Sequence, residues 1–270
     1  MLLKRKTWEI ERYCTVDSTE AQIGQSASGC PIRDARGWLT VVAAREQEMI
    51  TPERQLAIYS RRFAGIEKRR TEVWRILARH YFNRWVRPAD SVVDLGAGYC
   101  EFINSIQAAH KIALDTNPVT AAKAIPGVKV LQQDATKEWP IPPESADVIF
   151  SSNFFEHLPA KEDLARCLAN AYQALRPQGL LIVLGPNIRF CYDEYWDFFD
   201  HYLPLSDRSM VEAMEITGFQ QELVLPRFLP LTMSGRLPHW GFLVRLYLSF
   251  SLAQRLWGKQ FLVIARRPSR

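Results

Sequence analysis

The sequence predicts an α/β protein built on a doubly wound, seven-stranded, mostly parallel sheet with helices ahead of it. Three observations predict this. Short apolar runs of strand length recur at residues 91–95, 111–115, 127–133, 145–150, 179–184, 219–227 and 260–265. Helical periodicity falls between several of them, and strands that alternate with helices pair in parallel. The run Gly179-Leu-Leu-Ile-Val-Leu184 is apolar without alternation, as a strand covered on both faces requires. Composition agrees, since 270 residues with 47% apolar and 23% charged can bury one large core with a small extension.

Taken in order, residues 1–48 show neither helical nor strand periodicity and are expected to be poorly ordered, with Met49 an alternative start. Thr51 is placed to cap a helix and Pro52 to open it. Leu56, Tyr59, Phe63, Ile66, Val73, Leu77, Tyr81 and Trp85 then recur at helical spacing through 52–88, with a break near Gly65. Arginines interleave with them. A nucleic-acid face is one reading, but Glu67 and Glu72 offer helix-spaced partners, so a solvated face is expected and a nucleic-acid partner is not.

The segment Ser91-Val-Val-Asp-Leu-Gly-Ala-Gly-Tyr-Cys-Glu-Phe102 reads as strand, tight turn, helix. Glycines at 96 and 98 let backbone N–H groups and a helix start close on a ligand. A dinucleotide turn wants a third glycine where this chain has Glu101, and a carboxylate there would repel a pyrophosphate. A nicotinamide-dependent oxidoreductase is therefore the weaker reading. Asp115 ends the next strand, where an acid can accept from both ribose hydroxyls, and Asp134 ends the third.

Asp94, Gly96 and Gly98 in this register resemble the first motif of the class I S-adenosylmethionine-dependent methyltransferases, with Cys100 in place of the last glycine. The triplet Glu156-His157-Leu158 after the fourth strand and the run LRPQGLLIVLGPN after it are similar to the same family, and the resemblance spans roughly 52–270. It implies a Rossmann-like domain over 89–270, a lid over 52–88, and S-adenosyl-L-methionine as cofactor. Carried over residue by residue, the binding set is Asp94, Gly96, Ala97, Gly98, Asp115, Thr116, Asp134, Ala135 and Asn153, with Tyr59 or Arg62 reaching the methionine carboxylate.

The implied activity is transfer of a methyl group to an O or N of a small molecule, with a sugar or lipid-linked metabolite the favoured class. The Asn/Asp-Pro-Pro-Tyr/Phe signature of base-amino methylation and a Pro-Cys pair for attack on pyrimidines are both absent from the sequence, against a base-modifying enzyme. A hydroxyl or ammonium acceptor must lose a proton, a task for histidine near neutral pH. His157 is the first candidate and His201 the second. An inactive methyltransferase-like binding subunit is the alternative, and Cys100 its sequence hint.

Residues 187–205 crowd aromatics among acids, which suits either a wall of the acceptor pocket or packing into the core. Ser206 caps a helix that stops at Gly218. Within a second insertion, 228–258, the stretch 237–257 is unusually greasy, interrupted by Arg245 and Arg255. A buried helix over the pocket is the first reading and peripheral membrane contact the second. No Asp or Glu follows Glu222, whereas Arg227, Arg236, Arg245, Arg255, Lys259, Arg266, Arg267 and Arg270 do. Five scattered cysteines without CxxC spacing indicate neither zinc nor a disulfide framework, so a cytoplasmic protein without a metal is expected.

Overall fold

The computed structural model describes residues 57–269, apart from Tyr59, Ser60, Phe63 and 232–240. The expectations for residues 1–48, for the helix start at Pro52 and for Tyr59 lie outside the described residues. The seven strands are β1 (Ser91–Leu95), β2 (His110–Asp115), β3 (Val128–Gln132), β4 (Ala146–Ser152), β5 (Leu175–Pro186), β6 (Gln220–Leu229) and β7 (Gln260–Arg266). They form one sheet in the order β3-β2-β1-β4-β5-β7-β6. β1 pairs in parallel with β2 and β4, while β7 is antiparallel to both β5 and β6. The strand order reverses between β1 and β4, and in open α/β sheets a ligand crevice opens at the carboxyl ends of the strands at that point.

The helices are α1 (Glu67–His80), α2 (Glu101–Ser105), α3 (Val119–Lys123), α4 (Lys161–Ala174), α5 (Ile188–Cys191), α6 (Asp207–Thr217), α7 (Gly241–Ser249) and α8 (Ser251–Trp257). α1 buries Val73, Trp74, Ile76, Leu77 and Ala78, a face at the spacing expected of a helix laid on a sheet. It ends at His80, so Tyr81 and Trp85 continue the apolar pattern outside it. Gly65, with φ at +79°, makes the turn before it, where a side chain would be strained. Trp74 packs edge-on to Phe150 at 5.9 Å and Phe102 stacks on Phe150 at 3.6 Å, which locks α1 and α2 onto the middle of the sheet.

β5 begins at Leu175, directly after α4 ends at Ala174, and runs on through Arg176-Pro-Gln-Gly179. Leu175 pairs with Ala146 and Leu180 with Val148, so the residues between them bulge out, and Gln178 takes φ +68°. One expectation changes: the greasy stretch is not one buried helix. α7 and α8 break at Phe250, α7 contains no buried residue, and β6 reaches Leu229, so residues 228 and 229 belong to the sheet rather than to the insertion.

Candidate active site

Two adjoining cavities open at the switch point. The larger, about 440 Å³, is lined by Gly98, Asp115, Thr116, Asp134 and Ala135 among others. The smaller, about 260 Å³, is lined by Asp94, Ala97, Glu156, His201 and Gln260 with Arg62, Arg70 and Trp74. Gly96, Asn153 and His157 face both. The binding set from Asp94 to Asn153, with His157 and His201, therefore borders these two adjoining cavities, whereas Cys100 lines neither.

The glycine turn is shaped by what it must avoid. A Cβ on Gly96 would lie 2.5 Å from Cγ of Phe154, and its φ is +71°. Gly96 and Ala97 donate to the Leu114 carbonyl at 2.9 and 3.4 Å, which folds the loop back over β2. Cys100 stands at φ +60°, the left-handed conformation a glycine would take freely, at a cost of about 1 kcal/mol for an L-residue. Its carbonyl accepts from Asn104 in the first turn of α2 at 3.0 Å, so the loop keeps its course without the last glycine.

Asp115 organises the larger cavity. Its carboxylate accepts from the backbone N–H of Gly98 and of Asn117, each at 2.7 Å. Burial raises its pKa, while these N–H donors and that of Thr116 pull it back. A carboxylate offers about four lone-pair sites, so with these donors it still has acceptor capacity for a ligand hydroxyl. Asp134 accepts from the N–H and hydroxyl of Thr136, both at 2.8 Å, leaving its second oxygen to the cavity rim.

The aromatic loop supplies the opposite wall. Tyr202 and Leu203 donate backbone N–H to the Glu156 carbonyl at 2.8 and 3.1 Å, and the Tyr195 hydroxyl donates to the Leu203 carbonyl at 2.5 Å. Asn187 and Arg189 both bind Asp207, pinning the loop's start to α6. Its aromatics take neither expected role uniformly. Tyr195 is wholly buried and Phe198 lines the cavity, but Tyr192, Trp196 and Phe199 are exposed.

This wall brings His201 beside His157, ring centroids 5.1 Å apart. His157 Nδ1 lies 2.7 Å from the Asp200 carbonyl. A carbonyl only accepts, so Nδ1 carries a proton, and in the neutral ring it is Nε2 that offers the lone pair. His201 is stacked on Phe198 and buried, which with the neighbouring His157 pushes its pKa down to about 4. It is therefore neutral at pH 7 and a poor base there. Arg62 donates to Asp200 at 2.7 Å and lies over the Phe198 ring, tying the helical side of the crevice to the loop.

Besides Asp115, two buried acids under the site have raised pKa values. Asp94 and Glu156 are raised chiefly by desolvation, and for Asp94 the charges of Asp115 and Glu101 add to it. An acid that ionises at higher pH in the folded protein than in the unfolded chain costs stability above the unfolded pKa, and the cost grows with pH until the folded group is itself ionised. Glu156→Gln is accordingly expected to melt higher than the parent at pH 8, with the gap closing as pH falls toward 5. Equal melting curves across that range in calorimetry would refute this. Donor atoms of Glu156, His157 and His201 lie within 4.8 Å of one another.

Sequence reasoning missed two groups. Arg70 donates to Glu101 at 2.7 Å, so the acid that stood against a pyrophosphate is an ion-pair partner on the smaller cavity. Gln260 gives its amide N–H to the carbonyls of Pro230 and Leu231, and its Oε1 is buried without a hydrogen-bond partner among the described residues. Neither carries a local motif. Only a covarying partner across the fold could have marked them.

Residues 93–183 match the family model described as a methyltransferase domain. No protein of curated function matches the sequence. Among solved structures, the chain is similar to a SAM-dependent methyltransferase from Archaeoglobus fulgidus, with TM-score 0.56, 19% identity, and coverage of 78% of this chain and 99% of that one. A SAM-dependent methyltransferase from Thermotoga maritima gives 0.56 and 19%, covering 80% and 97%. A chain of the complex between the Haloferax volcanii Trm112 methyltransferase activator and a methyltransferase gives 0.55 and 18%, covering 77% and 94%.

Proposed function

From the premise that this chain has the class I S-adenosylmethionine-dependent methyltransferase fold, with a methyltransferase domain at residues 93–183, we propose that it binds S-adenosyl-L-methionine and methylates an O or N of a small molecule. The observation that carries the reading is the divided crevice. Strand-end acids line one side, an aromatic and histidine wall the other, and His157 faces both.

The residues fit the cofactor. Asp115 has acceptor capacity left for ribose hydroxyls, Asp134 and Ala135 border the space for the adenine, and the Gly96–Gly98 turn is bare of side chains where a ligand must approach. Asp94, Ala97, Thr116 and Asn153 complete the binding set, with Arg62 or Arg70 near enough to the smaller cavity to receive a carboxylate. Bound there, the cofactor supplies an activated methyl group. The protein's own task is to place an acceptor in line and exclude water. His157 takes the acceptor's proton at Nε2, held in that tautomer by the Asp200 carbonyl. Glu156, buried and with its pKa raised by desolvation, forms part of the floor of the smaller cavity.

The acceptor enters beside the 187–205 wall, where Phe198 offers an apolar face and Gln260 a hydrogen-bond acceptor. A sugar or lipid-linked metabolite suits that pairing of an aromatic plane with scattered polar groups. The test is calorimetric titration with S-adenosylhomocysteine, with NADH in parallel, followed by a screen for methyl transfer to acceptors of this class. Micromolar binding of the homocysteine compound alone supports the reading. NADH binding alone would make the chain an oxidoreductase, and tight cofactor binding without transfer to any acceptor would make it a binding subunit.

A further inference from the structure

Between β6 and β7 the chain inserts α7 and α8, each with one side against the protein and an apolar side turned out. In α7, Val244, Tyr247 and Leu248 pack toward the core, while Arg245 and Leu246 are exposed, Leu246 at 50%. Phe250 at the break is 56% exposed. In α8, Leu252, Leu256 and Trp257 are 63%, 58% and 64% exposed, with Arg255 at helical spacing between the leucines. Solvated helices ordinarily turn charge outward. Here the outward residues are leucine, phenylalanine and tryptophan, with Ser249 and Ser251 beside them and arginine as the one charged residue type.

The platform is fixed in place. Tyr247 donates its hydroxyl to the Phe228 carbonyl at 2.8 Å, and Arg227 donates to the carbonyls of Gly258 and Leu256 at 2.7 and 2.8 Å. Charge complementarity names the occupant. From Leu223 onward the chain has no acidic residue, so the stripes meet an anionic surface without repulsion, and arginines can lay their stems on apolar surface while the guanidinium stays in the headgroup layer. A protein partner would be expected to meet a polar rim with both signs. No described helix is long and apolar enough to cross a membrane, so the contact is with the surface.

We propose that α7 and α8 dock the protein on an anionic lipid surface. The strands they interrupt end at the smaller cavity, which Leu231 and Gln260 line. Docking therefore sets the acceptor side of the crevice beside the bilayer, where a lipid-linked acceptor would be presented. That last step rests on the proposed function, whereas the docking itself is read with neither cofactor nor turnover.

The experiment is co-sedimentation of the full chain with phosphatidylcholine vesicles, with and without phosphatidylglycerol. Binding is expected only with the anionic lipid and is expected to fall with salt. Arg245→Ala and Arg255→Ala should each weaken it roughly fivefold, and the double variant Leu246→Glu/Leu252→Glu should abolish it, while melting curves stay close to the parent's. Absence of sedimentation, or sedimentation undiminished in the double variant, overturns the proposal. So does concentration-dependent self-association lost in that variant, which would assign the stripes to a second copy of the chain.

Discussion

Replacing Asp115 with alanine is expected to weaken S-adenosylhomocysteine binding by roughly a thousandfold, from the loss of two charge-assisted hydrogen bonds worth about 1.5–3 kcal/mol each. The same carboxylate holds the N–H groups of Gly98 and Asn117 at 2.7 Å. Alanine therefore also frees the glycine turn that walls both cavities. Burial opposes ionisation of Asp115, so removing it relieves a desolvation cost and the variant is expected to fold. Asp115→Asn separates the two effects, because its amide oxygen retains one neutral acceptor while the charge assistance of every bond is lost. It should fall between parent and alanine. A parent-like Kd in a folded Asp115→Ala protein would remove the acid from the ligand and with it the placing of the ribose.

The second large effect is expected at His157. His157→Gln should lower kcat by about 10²–10⁴-fold, the usual range for a positioned base, and leave the S-adenosylhomocysteine Kd near that of the parent. His201→Gln should cost much less, since a group titrating near pH 4 is a poor base at pH 7. Its packing on Phe198 should show instead in KM. Activity unaffected by a chelator is part of the expectation. Activity lost to a chelator and restored by a divalent cation would turn Glu156, His157 and His201, already within 4.8 Å of one another, into metal ligands. A kcat close to the parent's in His157→Gln would mean that the acceptor needs no base.

Much of the fold was legible because its signals are local. A strand end followed by an acid or glycine carries its own punctuation, so Asp94, Gly96, Asp115 and Asp134 could be placed from short windows. The left-handed Cys100 shows why a motif can lose a glycine and keep its course, since the cost is only about 1 kcal/mol. What stayed hidden depends on pairings between elements. The Arg70–Glu101 pair joins residues 31 apart in sequence, and Gln260 reaches the crevice only because β7 inserts beside β5. The start of β5 at Leu175, ahead of the apolar run at 179–184, stayed hidden because arginine, proline, glutamine and glycine suit a loop as well as a bulged strand. Hydrophobicity likewise cannot say which way a greasy helix faces. The same leucines would have suited a helix buried over the pocket, and exposure could be read only from their neighbours.

The position of β7 also bears on how the protein is made. It lies between β5 and β6 and forms antiparallel ladders with both, yet it follows both in the chain. While the ribosome is still synthesising residues before Gln260, two apolar strand edges have no partner. Open edges of this kind recruit other chains. Nascent protein arrested before β7 should therefore aggregate or hold a chaperone, and release from that state should coincide with emergence of a single seven-residue segment.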